Sequence, residues 1–254
     1  QIFSAFRIVD AKIIGGFRYH DGGRSLSAQL HDGGIIRDGG TLPILHRNEN
    51  VLGIGVFDHN INFFAALAAA ETAAVPYDHE KWLYVPHTYE EYRYILGTKG
   101  KKPLITVGVN PSTAAPDDLD NTLKSVERIA RRNGFDSFIM FNVYAQRATS
   151  PDDMDKERDE RLHSENMRAF DWVLSHAGAH PAVWAAWGAV IEKRRYLPDC
   201  VRDMLLCGER YGAVWYTAGA RSKAKGHPHH PLYLRKDTPL DPFADVEGYL
   251  ASLS

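Results

Sequence analysis

Two asparagines and one histidine-rich loop are the side chains of this sequence whose types and spacing could do chemistry. Asn110 follows an apolar run at 104–109, and Asn142 interrupts a second apolar run at 138–144. His227, His229 and His230 lie together in one loop near the C-terminus. An amide can orient a water molecule or bind a donor and an acceptor at once. An imidazole can donate to a developing anion. Such a set suits cleavage of a bond whose leaving group departs with negative charge.

The apolar runs predict the strands that position these residues. Residues 104–109 are β-branched and apolar, as in a strand buried on both faces. Pro111 lacks an N–H and disfavours the helical conformation at Asn110, so the strand must end there. Runs at 138–144, 181–187 and 213–218 predict three further strands, and amphipathic patterns predict helices at 121–133, 155–175 and 198–208. Their alternation favours an α/β fold with a mostly parallel sheet and helices on both faces.

The remaining elements are expected to flank this sheet. A short strand at 92–96 would fold antiparallel onto residues 104–109 through a Lys-Gly-Lys-Lys turn, and a last helix is predicted at 243–253. Asp-Gly-Gly repeats at 21–23, 32–34 and 38–40 favour hairpins, and an Ala-rich stretch at 63–75 favours a helix that ends before Pro76. We therefore expect an N-terminal extension over residues 1–80 and an α/β domain over residues 81–254.

Composition narrows the class of protein. The net charge of −2 argues against a polycation that coats nucleic acid, although a local basic groove stays possible. The longest apolar stretch, residues 61–75, contains Asn62 and Glu71 and is shorter than the roughly 18–20 residues of a membrane span, so no membrane partner is expected. Cys200 and Cys207 are the only cysteines, and their spacing on a predicted helix is too wide for a disulfide. Reduced cysteines are typical of a cytoplasmic protein.

Polar groups lie at the ends of the four predicted strands: Asn110 after the first, Asn142 within the second, Trp187-Gly188 after the third, and the His227 loop after the fourth. In this order along the chain, they resemble the uracil-DNA glycosylase superfamily. There the first strand ends in Gly-x-Asp/Asn-Pro, the second carries an Asn that reads the base, and the third ends in Trp-Gly. The loop after the fourth strand begins with His-Pro and continues to Pro-Leu. The corresponding residues here are Gly108-Val-Asn110-Pro111, Phe141-Asn142, Trp187-Gly188, and His227-Pro228 with Pro231-Leu232.

The sequence is also similar to a bacterial and phage family of unknown function. That family carries Asn-Pro-Ser-Thr-Ala, Arg-Ala-Thr and His-Pro-Leu-Tyr-Leu, which match residues 110–114, 147–149 and 230–234. The resemblance covers about residues 90–242. The resemblance to uracil-DNA glycosylases implies a three-layer α/β sandwich with a mostly parallel, four-stranded central sheet. The short antiparallel strand and the N-terminal extension over residues 1–80 would be added to it.

The resemblance implies an N-glycosidase-like protein that acts on a base in nucleic acid or on a free nucleotide. Asn110 would place the water, Asn142 would read the base, and His227 would stabilise the leaving base. Asn110 stands where some members have Asp, and since an amide cannot act as a base, slow turnover is expected. Further contacts to the substrate are expected from Ser112, Thr113, Arg147, Trp187, Lys193 and His230.

Several alternatives stay open from the sequence. The histidine loop is one residue longer than the superfamily pattern, so the functional histidine is His227, His229 or His230. No carboxylate or cysteine lies at a metal-binding spacing from them, so neither a metal nor another cofactor is expected. Asn142 is either a base reader or a buried structural amide. The alternative function is a non-catalytic module that binds nucleotide or nucleic acid on the same fold. The sequence does not indicate the oligomeric state.

Overall fold

The computed structural model describes residues 61–253. The strands in chain order are β1 (Trp82–Val85), β2 (Ile95–Thr98), β3 (Pro103–Gly108), β4 (Ser137–Asn142), β5 (Ala182–Ala185), β6 (Val214–Ala218) and β7 (Leu240–Pro242). The helices are α1 (Phe63–Thr72), α2 (Asn121–Arg132), α3 (Glu160–His176), α4 (Leu197–Glu209) and α5 (Val246–Ala251). The hairpins predicted at 21–40 lie outside the described residues. No helix within residues 61–253 is long and apolar enough to cross a membrane.

All seven strands form one sheet in the order β1-β2-β4-β3-β5-β6-β7. Strand β3 pairs in parallel with β4 and β5, and β5 pairs in parallel with β6. The pairs β1–β2, β2–β4 and β6–β7 are antiparallel. The predicted α/β class is confirmed. The predicted mostly parallel central sheet of four strands with one added antiparallel strand is not confirmed, since within residues 61–253 the sheet has seven strands and is mixed.

Strand β2 does not form the predicted hairpin with β3. It pairs antiparallel with β4, because β3 already has β4 on one edge and β5 on the other. Gly97 allows this pairing: a Cβ at that position would lie 2.3 Å from the carbonyl oxygen of Phe138 on β4. The absence of a side chain at Gly97 therefore permits a close backbone approach.

Helices cover both faces of the sheet. Side chains alternate along the strands, so Leu104 packs into the layer beneath α2, whereas Ile105 and Val107 pack into the opposite layer. That second layer also contains the apolar faces of α1, α3, α4 and α5. Helix α1 lies on the N-terminal side of the expected boundary at residue 80, and it packs against α3, where the N–H of Phe63 donates to Glu165 Oε2 at 2.9 Å.

The strand order creates a crevice at the carboxyl end of the sheet. The chain leaves β3 through α2 and returns in β4 on one side, whereas it leaves β5 through α4 and returns in β6 on the other side. In open α/β sheets, ligands bind in the crevice where the connections from neighbouring strands diverge in this way. The topology therefore indicates a ligand-binding site at the loops after β3 and β5.

Candidate functional site

A small deep pocket and a larger outer cleft lie at this crevice. The deep pocket has a volume of about 100 Å³, and the outer cleft has a volume of about 680 Å³. They form one continuous depression because they share lining residues, which are Asn110, Ser112, Thr122, Pro151, Val190 and His230. The shared residues come from the loops after β3, β4, β5 and β6 and from the first turn of α2.

Asn110 lines both parts of the depression, and its amide group is held in one orientation. Nδ2 donates to the carbonyl oxygen of Ala148 at 2.7 Å and to that of Pro111 at 3.2 Å. Within residues 61–253, Oδ1 of Asn110 has no hydrogen-bond partner. The side chain thus offers an acceptor oxygen to a water molecule or a ligand.

His227 is tied to the protein through both ring nitrogens. Nδ1 lies 2.9 Å from the hydroxyl of Tyr249, and Nε2 lies 2.8 Å from Oε1 of Glu192. Lys225 also pairs with Glu192, and this hydrogen bond, followed by the charges of Lys225 and His227, lowers the pKa of the Glu192 carboxyl. The ring therefore joins the loop after β6 to the segment after β5. No ring nitrogen of His227 is left for a leaving base.

His230 is the histidine that lines both the deep pocket and the outer cleft, whereas His227 and His229 line the outer cleft alone. The backbone N–H of Leu232 donates to His230 Nδ1 at 3.4 Å, which places the proton of the neutral ring on Nε2. Burial lowers the pKa of His230 below its ordinary value of 6.5, so the ring is neutral at pH 7. His230 is consequently a neutral ring with an Nε2–H donor among the residues that line the pocket.

Asn142 is fully buried at the end of β4 and lines neither the deep pocket nor the outer cleft. With its nitrogen directed to the backbone, the amide donates to the carbonyl oxygen of Asn110 at 3.2 Å and to that of Phe141 at 3.3 Å. The side chain of Asn166 on α3 donates to the backbone carbonyl oxygen of Asn142 at 3.0 Å. These bonds make Asn142 a support for the backbone that carries Asn110.

Two further predicted residues line the deep pocket. Ser112 donates through Oγ to Asp120 Oδ2 at 2.6 Å, and Asp120 Oδ1 accepts the N–H of Leu123, so Asp120 caps helix α2 at the pocket wall. Trp187 is fully buried, contributes an apolar wall, and donates through Nε1 to the Tyr249 hydroxyl at 3.2 Å.

Three predicted residues are not brought to the depression. Arg147 donates to the carbonyl oxygen of Ser112 and to the hydroxyl of Tyr84, so it supports the loop after β3 from behind. Lys193 pairs with Asp152 at 2.8 Å on the surface. Thr113 is exposed and lines neither the deep pocket nor the outer cleft.

Sequence reasoning missed Arg93, which lines the deep pocket and is 1% exposed. It precedes β2, and one guanidinium nitrogen donates to the carbonyl oxygen of Ala114 at 2.9 Å, whereas Nε has no partner. Burial and the charge of Arg147 lower its pKa to about 9, which leaves it protonated at pH 7. The available signal was a single arginine within the otherwise apolar and aromatic run at 92–96.

The described residues offer no evident metal centre. Within residues 61–253, no three His, Cys, Asp or Glu side chains are grouped so that they could hold a metal ion. The polar groups of the depression are thus amide, hydroxyl, imidazole, guanidinium and one carboxylate. They can bind and polarise an organic ligand by hydrogen bonding.

A family model described as "Protein of unknown function (DUF1643)" matches residues 93–232, which is more than half of the 254-residue chain. The chain belongs to the DUF1643 family. The part matched by the DUF1643 model contains every residue that lines the deep pocket, from Arg93 to His230. No match was found among curated proteins or among solved structures. The predicted membership of a family of unknown function is confirmed, and the relation to uracil-DNA glycosylases stays a prediction.

Proposed function

We propose that this protein is an N-glycosidase-like enzyme, with a uracil-DNA glycosylase-like fold, that acts on a base in a nucleotide or in nucleic acid. The observation that carries the proposal is the deep pocket, where the amide of Asn110 and the imidazole of His230 line the same small space. The first is an acceptor for water, and the second is a donor for a leaving group. These are the two functions that hydrolysis of an N-glycosidic bond requires.

The apolar walls of the deep pocket support the edge of a planar ring as its occupant. A closed cavity of about 150 Å³ can bind benzene. The deep pocket is about 100 Å³ and opens into the outer cleft. Its apolar walls can sandwich a ring, and they are formed by Val109, Leu123, Met140, Trp187 and Val190. The deep pocket is therefore too small to enclose a whole base, so a base would place one edge there and extend with its sugar into the outer cleft.

In the proposed reaction, water attacks the anomeric carbon as the bond from that carbon to the base nitrogen breaks. Asn110 Oδ1 accepts a hydrogen bond from the water and orients its oxygen. His230 Nε2–H donates to the base atom that becomes negative, and the electron pair of the broken bond stays on the base. Because an amide cannot take the proton of the water, that proton passes to solvent or to the departed base. Turnover is expected to be slow for this reason.

The outer cleft would hold the rest of the substrate. Tyr233 and Leu232 line it and are 81% and 44% exposed, so an aromatic ring and an aliphatic side chain lie at its mouth. Exposed aromatic rings of this kind stack on bases of single strands. The near-neutral charge of the chain suits a nucleotide or a single strand at least as well as a duplex.

Two further features support the proposed uracil-DNA glycosylase-like fold and a cytoplasmic location. The four strands β4, β3, β5 and β6 are adjacent and mutually parallel, and their carboxyl ends lead to Asn110, Asn142, Trp187 and the histidine loop, as the resemblance implies. Cys200 and Cys207 are buried and free, which suits a reducing compartment such as the cytoplasm.

The experiment is a base-release assay with nucleosides, nucleotides and single-stranded oligonucleotides that contain uracil, hypoxanthine or other modified bases. Free base is separated by chromatography, and abasic sites are detected by alkaline cleavage. We expect slow release by the wild type, a large loss in Asn110→Ala, and unchanged release in Thr113→Ala, a control in the same loop. Absence of release from every substrate would refute the catalytic proposal.

A binding module is the second candidate function, and the amide at position 110 favours it because the site lacks a general base there. Such a module would be stabilised by a nucleotide without releasing its base. Ligand at 100 times its dissociation constant adds about 2.7 kcal/mol to the free energy of unfolding. For a domain of this size, that is a rise of roughly 5–11 °C in melting temperature.

A further inference from the structure

Arg93 is a buried cation whose charge is not balanced by a direct ion pair. Within residues 61–253, no carboxylate lies within 4.0 Å of its guanidinium, and a single hydrogen bond to the Ala114 carbonyl oxygen holds it. A buried charge without a partner is expensive, and natural proteins keep such groups where a ligand or reaction uses them. The mechanism proposed above makes no use of Arg93.

The charged and titratable groups around Arg93 leave the floor of the pocket positive. Arg147 adds a second positive charge, and Asp120 at the start of α2 is the one carboxylate among the groups that act on Arg93. Asp120 already accepts from Ser112 and from the N–H of Leu123. The remaining groups are the phenols of Tyr84 and Tyr89 and the imidazole of His230, which is neutral at pH 7.

We propose that Arg93 makes the deep pocket a receptor for the anionic, N-deprotonated form of a planar nitrogen heterocycle. This inference rests on the proposed function of the same pocket and adds a residue to it. When the glycosidic bond breaks, both bonding electrons remain on the ring nitrogen, and the negative charge spreads to the ring carbonyl oxygens. Arg93 stabilises that charge through its N–H groups, while His230 donates a hydrogen bond, so the base needs no proton in order to leave.

The walls of the pocket favour a heterocyclic anion over a phosphate. A phosphate has oxygens on all sides and needs donors around it. The lining of the deep pocket instead includes, with Arg93, the apolar side chains of Met140, Trp187 and Val190, which suit the faces of a flat ring. Inorganic phosphate is therefore the competing ligand that the experiment must include.

The experiment measures the binding of free bases by calorimetry from mildly acidic to mildly alkaline pH. Xanthine loses a ring proton near neutral pH, whereas hypoxanthine, a close match in shape, keeps its proton to higher pH. We expect the affinity of the wild type for xanthine to rise about 10- to 100-fold as xanthine ionises, because hydrogen bonds to charged groups are the stronger class. Hypoxanthine should show little change over the same range.

Two variants separate Arg93 from its neighbours. In Arg93→Met the rise for xanthine should disappear while the melting temperature shows a folded protein. In His230→Ala the rise should persist, since the charge that attracts the anion remains. The comparison of the two bases in the wild type does not depend on any variant, so equal profiles overturn the proposal even if Arg93→Met fails to fold; in that case Arg93→Lys, which keeps the charge, should retain the rise.

The results distinguish this inference from the proposed catalysis. Equal pH profiles for the two bases, a rise that survives in Arg93→Met, or phosphate bound as tightly as xanthine would overturn the role of Arg93. Preference for the anion without base release would support the role of Arg93 and refute catalysis. Base release without that preference would support catalysis and refute the role of Arg93.

Discussion

Replacing Asn142 by Asp tests whether this residue supports the site or reads a ligand. The Asn142 amide is 0% exposed and donates to the carbonyl oxygens of Asn110 and Phe141 at 3.2 and 3.3 Å. In Asn142→Asp a carboxylate oxygen would face those two carbonyl oxygens, so two attractive contacts become repulsive. Within residues 61–253, no Lys or Arg side chain bonds to the Asn142 amide, so the new negative charge would be buried without a partner.

The expected cost follows from that environment. An uncompensated buried charge costs about 3–5 kcal/mol of folding free energy. For a domain of this size, 1 kcal/mol corresponds to about 2–4 °C in melting temperature, so Asn142→Asp should melt roughly 6–20 °C below the wild type at neutral pH. The change Asn121→Asp is the matched control, because Asn121 is exposed at the start of α2 and should tolerate it.

The pH dependence gives the same prediction a second test. Burial raises the pKa of the introduced carboxyl in the folded state above its value in the unfolded state. The folded variant then binds more protons than the unfolded chain, so the stability lost relative to the wild type grows as pH rises above about 4. At low pH the protonated carboxyl can donate, and the deficit should shrink. Melting curves from acid to neutral pH, followed by circular dichroism, measure both effects. A variant that melts like the wild type but no longer binds ligand would contradict the support role and restore Asn142 as a base reader.

Three other variants test the fold and the loop. Gly97→Ala should lower the melting temperature sharply, because the added Cβ would lie 2.3 Å from the Phe138 carbonyl oxygen; a melting temperature unchanged within error would refute the described β2–β4 pairing. Glu192→Gln should fold but bind ligand more weakly, because Lys225 and the histidine loop lose the carboxylate that holds them. In the wild type, this carboxylate contributes to stability above pH 4.5, and its contribution is lost as pH falls through its lowered pKa. Unchanged affinity in Glu192→Gln would show that this carboxylate is dispensable. His230→Ala should lower the rate of base release by about 10²–10³, the usual cost of losing one donor to a developing anion, and equal rates would exclude this role.

The local elements could be predicted because local patterns determine them. The apolar run at 104–109 became β3 at Pro103–Gly108, and α2 begins at Asn121, where its helix was predicted. The pairing of β2 could not be predicted, since it depends on which edges of β3 are free and on Gly97 fitting against β4. Strands β1 and β7, at the two edges of the sheet, were not predicted; β7 has three residues, too few to give a periodic pattern.

The candidate site was predictable where a residue follows a strand. Asn110, Ser112, Trp187 and His230 were all named from the sequence, and all line the deep pocket. The hydrogen bond between His227 and Tyr249 joins residues from separate elements, and no local sequence pattern shows such a contact. Arg93 was missed for a related reason: only the folded chain shows that its guanidinium is buried beside the loop after β3.

The proposed reaction is hydrolysis at the anomeric carbon, and isotope labelling tests it most directly. Substrate is incubated with the protein in water enriched in ¹⁸O. The products are reduced with borohydride at once, so that the sugar aldehyde cannot exchange its oxygen with water, and the mass of each product is measured by mass spectrometry. Hydrolysis at this carbon should give an unlabelled free base and a sugar product with one ¹⁸O atom, and Asn110→Ala should form neither product. Label in the base or in phosphate, or no product from any nucleotide or oligonucleotide, would contradict it.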